Sequence, residues 1–389
     1  MDIVFITSRF PYPLNKGDKL RAYHQIKELS INHNIHLISL SDKKISKIQL
    51  LELEKFCSKV DVFYLSKIRI FFNLLRGIFN NKPFQVNYFF SYSIKNKIIS
   101  IINNNNPDHI FCQLIRCAWY LKDDFKHSKT LDYMDALSKG MERRVAGSGW
   151  KKFIFKIEHE RLKQFENLSY EFFDNHTIIS KTDREYIPHE KNREIKVIPN
   201  GIDTDFFSLL EKDIKYDLVF VGNLSYAPNI DAVEYIANRL LNKLKRIKPE
   251  IKILISGSNP SNKILKYSSN HITIQGWIPD IRKAYNQGKI FIAPLRIGSG
   301  LQNKLLEAMS LKMPCITTKL ANMALEAKHE KELYIANNDE EFVEIIEKLL
   351  LNQDLMNQIG ENARFFVKSN FDWKKSTNNL AKNFTAKRT

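Results

Sequence analysis

The feature that most constrains this chain is the alternation of short apolar runs with longer, helix-patterned segments. DIVFITS, NIHLISL, KVDVFYL, HIFCQLI and HTIIS come first, and YDLVFVG, IKILISG, ITIQG, IFIAPL and PCITT follow. Strands buried on both faces of a parallel sheet read as such continuous runs, and the segments between them are long enough for crossover helices. Two series in 389 residues predict an α/β chain of two units in series, each built on a parallel sheet. Residues 195–217, IKVIPNGIDTDFFSLLEKDIKYD, separate the series; they lack periodicity and hold Pro199 and the Asn200-Gly201 turn signal. The predicted domains are 1–205 and 206–370. An amphipathic tail within 371–389, FDWKKSTNNLAKNF, is expected to pack back on the first domain.

Composition bounds the function. A chain that is 43% hydrophobic and 26% charged folds rather than staying disordered. Its net charge of +17 admits three partners: nucleic acid, an anionic membrane surface or a phosphorylated small molecule. Richness in Lys, Ile and Asn also has a bland compositional explanation. Cys57, Cys112, Cys117 and Cys315 show no CxxC spacing and read as reduced core thiols. With no signal-like N-terminus and no run of ~18 apolar residues, the expected location is cytoplasmic.

The densest chemistry lies in FIAPLRIGSGLQNKLLEAM. In an open parallel sheet, ligands bind beyond the carboxyl ends of the strands, where turns enter helices. A helix starting at Ser299 or Gly300 aims free N–H groups at such a ligand, and Gly298 and Gly300 let the backbone come close. Lys304 and Glu307 then share a helix face, with Leu301, Leu305 and Ala308 toward the sheet. Arg296 and Lys304 suit a diphosphate and Glu307 suits ribose hydroxyls. The competing reading is an exposed i,i+3 ion pair on a solvated helix.

This stretch resembles the retaining glycosyltransferases of family 4, whose GT-B fold implies two Rossmann-like domains facing a central cleft, and is closest to a bacterial subgroup associated with exopolysaccharide synthesis. In the common motif two glutamates frame the donor; Glu307 matches the second, and Ser299 stands where the first would fall. VIPNGIDTDFF is similar to the family's interdomain signature, FVGNLSYAPNIDAVEYI to its first donor-domain unit, and IQGWIPDIRKAY to its base-reading segment. The resemblance implies donor-binding roles for Gly17, Asn223, Trp277, Ile278, Gly298, Ser299, Gly300, Leu301 and Glu307. It also implies metal-independent transfer without a cofactor, in which the departing phosphate helps remove the acceptor proton. Asp203-Thr-Asp205 formally fits a metal motif but lies in the linker signature, and Asp280 reads as a helix cap.

On the acceptor side, SRFPYPLNKGDKLRAYHQIKELS places Gly17 before a helix with Asp18 as its expected N-cap. Leu20, Tyr23, Ile26 and Leu29 form the expected buried stripe, which leaves Arg21 and His24 off it. Lys19, Arg21 and Arg116 are the candidate acceptor contacts. TLDYMDALSKGMERR supplies Asp132, Asp135 and Ser138, and Asp135 is the candidate to orient or deprotonate an acceptor hydroxyl. With Arg296 and Lys304 it completes the predicted catalytic set.

Residues 67–97, KIRIFFNLLRGIFNNKPFQVNYFFSYSIKNK, interleave cations with large apolar side chains, and residues 150–166 repeat the pattern. They read either as membrane-surface segments or as helices packed on the first sheet. The expected activity is transfer of a sugar from a UDP- or GDP-sugar to a glycan or lipid-linked acceptor in bacterial surface polysaccharide synthesis, whether capsule or lipopolysaccharide. The alternatives are a nucleotide-sugar epimerase or phosphorylase on the same architecture and a basic nucleic-acid-binding protein. No helix-turn-helix, RNP-like or zinc signature accompanies the charge, so nucleic acid is not an expected partner.

Overall fold

A computed structural model describes residues 1–123, 126–146, 152–208, 211, 213–298 and 300–384, with the backbone alone at 143 and 146. The chain divides into two units, Met1–Asn200 together with the segment from Trp373 onward, and Gly201–Asp372. The crossing therefore falls a few residues before the expected boundary at 205. The reason is local: Ile202 donates its N–H to the Phe371 carbonyl at 2.8 Å and bridges to Asp372, so the chain has joined the second unit by then.

The first unit is built on β1 (Asp2–Thr7), β2 (Asn34–Ser41), β3 (Lys59–Tyr64), β4 (His109–Gln113), β5 (Ser128–Asp132), β6 (Asn175–Ile178) and β7 (Lys196–Val197). They form one seven-stranded sheet in the order β3-β2-β1-β4-β5-β6-β7, with every pairing parallel. β1, β4 and β5 are buried almost throughout, which is why they read as unbroken apolar runs. The helix Trp373–Ala381 lies in this unit against Gly17–Leu29, with Trp373 stacked on His24 at 4.9 Å between ring centres. All four cysteines are buried and unpaired.

The second unit holds β8 (Tyr216–Val221), β9 (Ile253–Ser256), β10 (Ile272–Gln275), β11 (Gly288–Ala293), β12 (Cys315–Thr317) and β13 (Tyr334–Ile335). Their order is β10-β9-β8-β11-β12-β13, again all parallel. In each sheet the strand order reverses beside the first strand: between β1 and β4 in one unit, and between β8 and β11 in the other. The loops leaving these strands at their carboxyl ends splay apart there, and the gap is where an open α/β sheet takes its ligand.

Candidate active site

In the second unit the reversal is framed by the loop after β8, residues 222–226, and the loop after β11, residues 294–302. A Cβ on Gly257, just past β9, would lie 1.7 Å from the Gly222 carbonyl oxygen, so only glycine lets these two strand ends approach so closely. Gly298 (φ 112°) and Gly300 (φ 80°) turn the second loop through backbone angles that other residues avoid. The following helix is Asn303–Ser310 with Gln302 as N-cap, so it starts later than the expected Ser299 or Gly300. The positive φ at Gly300 is the physical reason, because a helix cannot begin there. Ser299 lies outside the described residues. Leu301 packs partly buried against the core ahead of the helix, while Leu305, Leu306, Ala308 and Met309 fill the face toward the sheet.

Lys304 and Glu307 are half-buried one turn apart, and no ion pair joins them among the described residues. Lys304 instead donates its Nζ to the Asn229 side-chain oxygen and lies 5.1 Å from the Phe220 ring centre. Asn229 is in turn fixed by its amide, which donates to the Asn223 carbonyl at 2.8 Å. Glu307 accepts a 2.6 Å hydrogen bond from the hydroxyl of fully buried Tyr285. Burial lowers the Lys304 ammonium to about 8, against the opposing pull of Glu307. Burial likewise raises the Glu307 carboxyl to about 7, although Tyr285 and Lys304 both favour its ionised form. The surface ion-pair reading is thereby excluded. Each charged group is held by a neutral one, an arrangement that costs stability unless a ligand completes it.

Arg296 is placed differently from expectation. Its guanidinium forms a two-pronged bond with Asp231, at 3.0 and 2.6 Å, and lies 4.8 Å from the Tyr235 ring centre. This pairing neutralises it and leaves Lys304 as the cation beside the glycine turn. Asn223 is exposed, with its side-chain oxygen accepting from the N–H and hydroxyl of Ser225. Trp277 is 70% exposed just past β10, and Ile278 beside it is half-buried. Asp280 accepts from the Arg282 N–H at 3.1 Å and grips its guanidinium, and Asp203 accepts from the Phe206 N–H at 2.9 Å; both hold turns.

In the first unit the helix runs Gly17–Leu29, and its N-cap is Lys16 rather than Asp18. Asp18 sits within the first turn because Arg9 holds its carboxylate at 2.7 Å, and because Gln113 at the end of β4 donates to its carbonyl at 2.9 Å. The buried face also differs from the expected stripe. Arg21, Ala22, His24, Gln25, Ile26 and Leu29 point inward, while Leu20 and Tyr23 are only half-buried. Arg21 is fully buried, with Nε on Asp132 at 2.6 Å, Nη2 on Asp132 at 3.1 Å and Nη1 on Asn200 at 2.9 Å. Arg21 is thus corrected from acceptor contact to interior brace, since its guanidinium is fully enclosed and each nitrogen already has a protein partner. Asp132 is equally enclosed and also accepts from Thr177 at 3.0 Å. Ser138 is taken by Glu166, which accepts from both its N–H and its hydroxyl.

Cations cluster at this edge beside the carboxylate of Asp18. Arg9 leaves β1, and Arg116 follows β4 just after Leu114, whose φ of 67° is strained for a non-glycine residue. Arg116 is held by Gln85 at 2.7 Å and stands 3.7 Å from Asp18, its ion-pair partner among the described residues, while Asp135 acts on its charge from further away. Burial first, then the Arg9 charge, lowers it to about 10. Burial also lowers Lys19, whose Nζ reaches the Tyr12 carbonyl, and the Arg9 charge lowers Lys16. A cavity of about 340 Å³ opens between Arg9, Arg116, Gln85, Phe84, Tyr88 and Phe89. Gly17 is exposed, with open space where a Cβ would stand. Asp135, half-buried past β5, has its carboxyl pushed up by burial and by the negative charge of Asp183.

Sequence reasoning missed Tyr285, Asp231, Arg9 and Gln85. Arg9 was within reach of the rule that found the others, since it lies two residues past the carboxyl end of β1.

Residues 215–352 match the family described as Glycosyl transferases group 1. The chain is 25% identical, over 98% of its length and 99% of the relative's, to an uncharacterised 44.6 kDa protein in the cps region of Klebsiella pneumoniae. It is 27% identical to an uncharacterised glycosyltransferase of Methanocaldococcus jannaschii, over 60% of this chain and 64% of that one. Among solved structures it is similar to sucrose-phosphate synthase from Thermosynechococcus elongatus (TM-score 0.71, 12% identity, 98% of both chains). It is also similar to Anabaena Alr3699/HepE in complex with UDP (TM-score 0.69, 14% identity, 98% of this chain and 99% of that one). Likeness at such identity shows a shared fold, the GT-B fold of two Rossmann-like domains. The match to the Glycosyl transferases group 1 model, residues 215–352, falls wholly within the second unit, Gly201–Asp372.

Proposed function

We propose that the protein is a retaining glycosyltransferase that moves a sugar from a nucleotide-diphosphate sugar to an anionic glycan or lipid-linked acceptor in the synthesis of a bacterial surface polysaccharide. The observation that carries this reading is the separation of Lys304 from Glu307. A cation and a carboxylate held one turn apart by Asn229 and Tyr285, beside a glycine turn at the sheet reversal, match the charge of a diphosphate and the hydroxyls of a ribose. The group 1 match supports a nucleotide-sugar donor, as does the structural neighbour crystallised with UDP-glucose. The relative in a cps region supports capsule synthesis.

Breaking the anomeric carbon–oxygen bond leaves negative charge on the departing diphosphate, and Lys304 is placed to stabilise it as it grows. The leaving phosphate oxygen then accepts the proton of the incoming hydroxyl, on the face where the new bond forms. Asn223, Trp277 and Ile278 contribute donor contacts from the neighbouring loops. On the first unit, Arg9, Lys19 and Arg116 favour an acceptor carrying phosphate or carboxylate, and Asp135 orients its hydroxyl.

Incubation with a panel of UDP- and GDP-sugars, following nucleoside diphosphate release, tests the reading. Release from one donor, accelerated by an anionic acceptor, is expected. Absence of binding to every member of the panel would sink it.

The two shifted groups set a pH profile for donor binding. A nucleotide sugar keeps a constant diphosphate charge near neutrality, so the protein alone titrates. As pH falls below about 7, Glu307 takes up a proton and loses acceptor capacity for the ribose. As pH rises above about 8, Lys304 loses its proton and the attraction to the diphosphate. Donor affinity measured calorimetrically should peak between these values and fall up to about tenfold per pH unit beyond each. A flat profile from pH 6 to pH 9 would remove both groups from the donor site.

A further inference from the structure

The helix Lys67–Ile78 buries only Ile70 and Gly77 fully and contains no acidic residue. Ile68, Phe71, Phe72, Leu75 and Ile78 share one side of it at helical spacing and are all exposed, with Phe71 at 59% and Ile78 at 58%. Phe79, at the helix end, is 88% exposed. An apolar surface this continuous is unusual on a chain that contacts only water.

Cations occupy the adjoining side. Arg69 and Arg76 lie next to the apolar stripe on the same helix. With Lys82, Asn73, Ser91 and Tyr92 they line a cavity of about 280 Å³ that has no carboxylate in its wall. Arg69 reaches the Ser91 hydroxyl at 3.3 Å, and among the described residues none of the three cations has an acidic partner. Lys82 lies 3.8 Å from the Trp119 ring centre. Burial lowers its ammonium, and Lys122 and Lys95 add to the effect.

The whole element is braced from behind. Arg161 donates to the Gly77 carbonyl at 2.6 Å, and the Glu158 carboxylate accepts from the N–H groups of Phe84 and Gln85. The first turn of that bracing helix, Lys152–Tyr170, carries Phe153 and Ile154, which are also exposed. No helix among the described residues is long and apolar enough to cross a membrane.

From this juxtaposition we infer that residues 67–82 form a docking surface for an anionic lipid bilayer, with the apolar stripe at the boundary between headgroups and acyl chains and a headgroup phosphate in the cavity between Arg69, Arg76 and Lys82. An amphipathic helix with aromatic and aliphatic groups on one side and cations beside them is the geometry that interfacial binding requires. Charge favours this occupant over a second copy of the chain. A two-fold contact through the same face would bring the unneutralised cations of one copy toward those of the other. The inference stands on the first unit alone and does not depend on the transferase reading.

Co-sedimentation with phosphatidylcholine vesicles, with and without phosphatidylglycerol, is the test. The wild-type chain should partition at least about tenfold more strongly onto the anionic vesicles, and raised salt should erase the difference. Phe71→Ser with Phe72→Ser should lower binding to anionic vesicles about tenfold or more, because interfacial affinity scales with buried apolar area. Arg69→Gln with Arg76→Gln should remove most of the preference for phosphatidylglycerol, about fivefold per cation. Circular-dichroism melts check that these exposed substitutions leave the fold intact. Equal partition of the wild-type chain onto both vesicles, or undiminished binding by the phenylalanine variant, would overturn the inference. So would light scattering that showed a dimer dissolved by Phe71→Ser with Phe72→Ser.

Discussion

Lys304→Ala should lower kcat/KM for nucleotide-sugar turnover by about 10²–10³-fold, the usual effect of removing one preorganised group that stabilises developing charge. The loss should fall mainly on kcat, because the negative charge facing Lys304 grows as the sugar–phosphate bond breaks. Arg296 is poorly placed to compensate while its guanidinium is engaged by Asp231 at 2.6 and 3.0 Å. Glu307→Ala should behave differently. Ribose hydroxyls keep their contacts from ground state to transition state, so KM should rise by roughly 10–100-fold, the worth of a hydrogen bond to a charged group, with kcat less affected. Lys304→Met separates function from folding. It keeps the stem against Phe220 and removes a charge that burial disfavours, so its melting temperature should equal or exceed that of the wild-type chain while turnover is lost. Wild-type turnover in both alanine variants would place the donor elsewhere.

How much of this was legible follows from the range over which each signal acts. Strands such as β1, β8 and β11 announce themselves because burial on both faces forces continuous apolar runs. The edge strands β7 and β13, two residues each, are too short to carry a pattern and were not read. Lys304 and Glu307 were found because helical spacing is local. Their partners were not, because Asn229 lies 75 residues from Lys304 and Tyr285 lies 22 from Glu307, on elements that only the folded sheet brings near. Helix Gly17–Leu29 shows the sharper limit. Hydropathy turns Leu20 and Tyr23 inward, whereas the fold turns Arg21 and Gln25 inward, since Asp132, 111 residues away, satisfies the guanidinium. No local signal distinguishes an arginine bound for solvent from one bound for the interior.

That buried pair should dominate the stability of the first unit. Asp132→Ala leaves the Arg21 guanidinium fully enclosed and held only by Asn200, and removal of one member of a buried ion pair costs about 3–5 kcal/mol. Arg21→Met should cost a comparable amount, since Asp132 would keep only its Thr177 bond. The double variant Arg21→Met with Asp132→Leu removes both charges and roughly preserves volume, so it should be markedly more stable than the sum of the single losses predicts. Calorimetry should show the first unit's transition falling in the single variants, while the transition of the second unit, which holds neither residue, stays in place. The alternative is that Arg21 serves the acceptor directly. It predicts the reverse: single variants that melt like the wild-type chain, and acceptor KM raised in Arg21→Met alone. The geometry favours the first outcome, because the pair ties helix Gly17–Leu29 both to the end of β5 and to Asn200, where the chain leaves the unit. Loss of that tie should loosen Arg9 and Asp18 together, so acceptor use in the single variants should decline in step with stability and recover in the double variant.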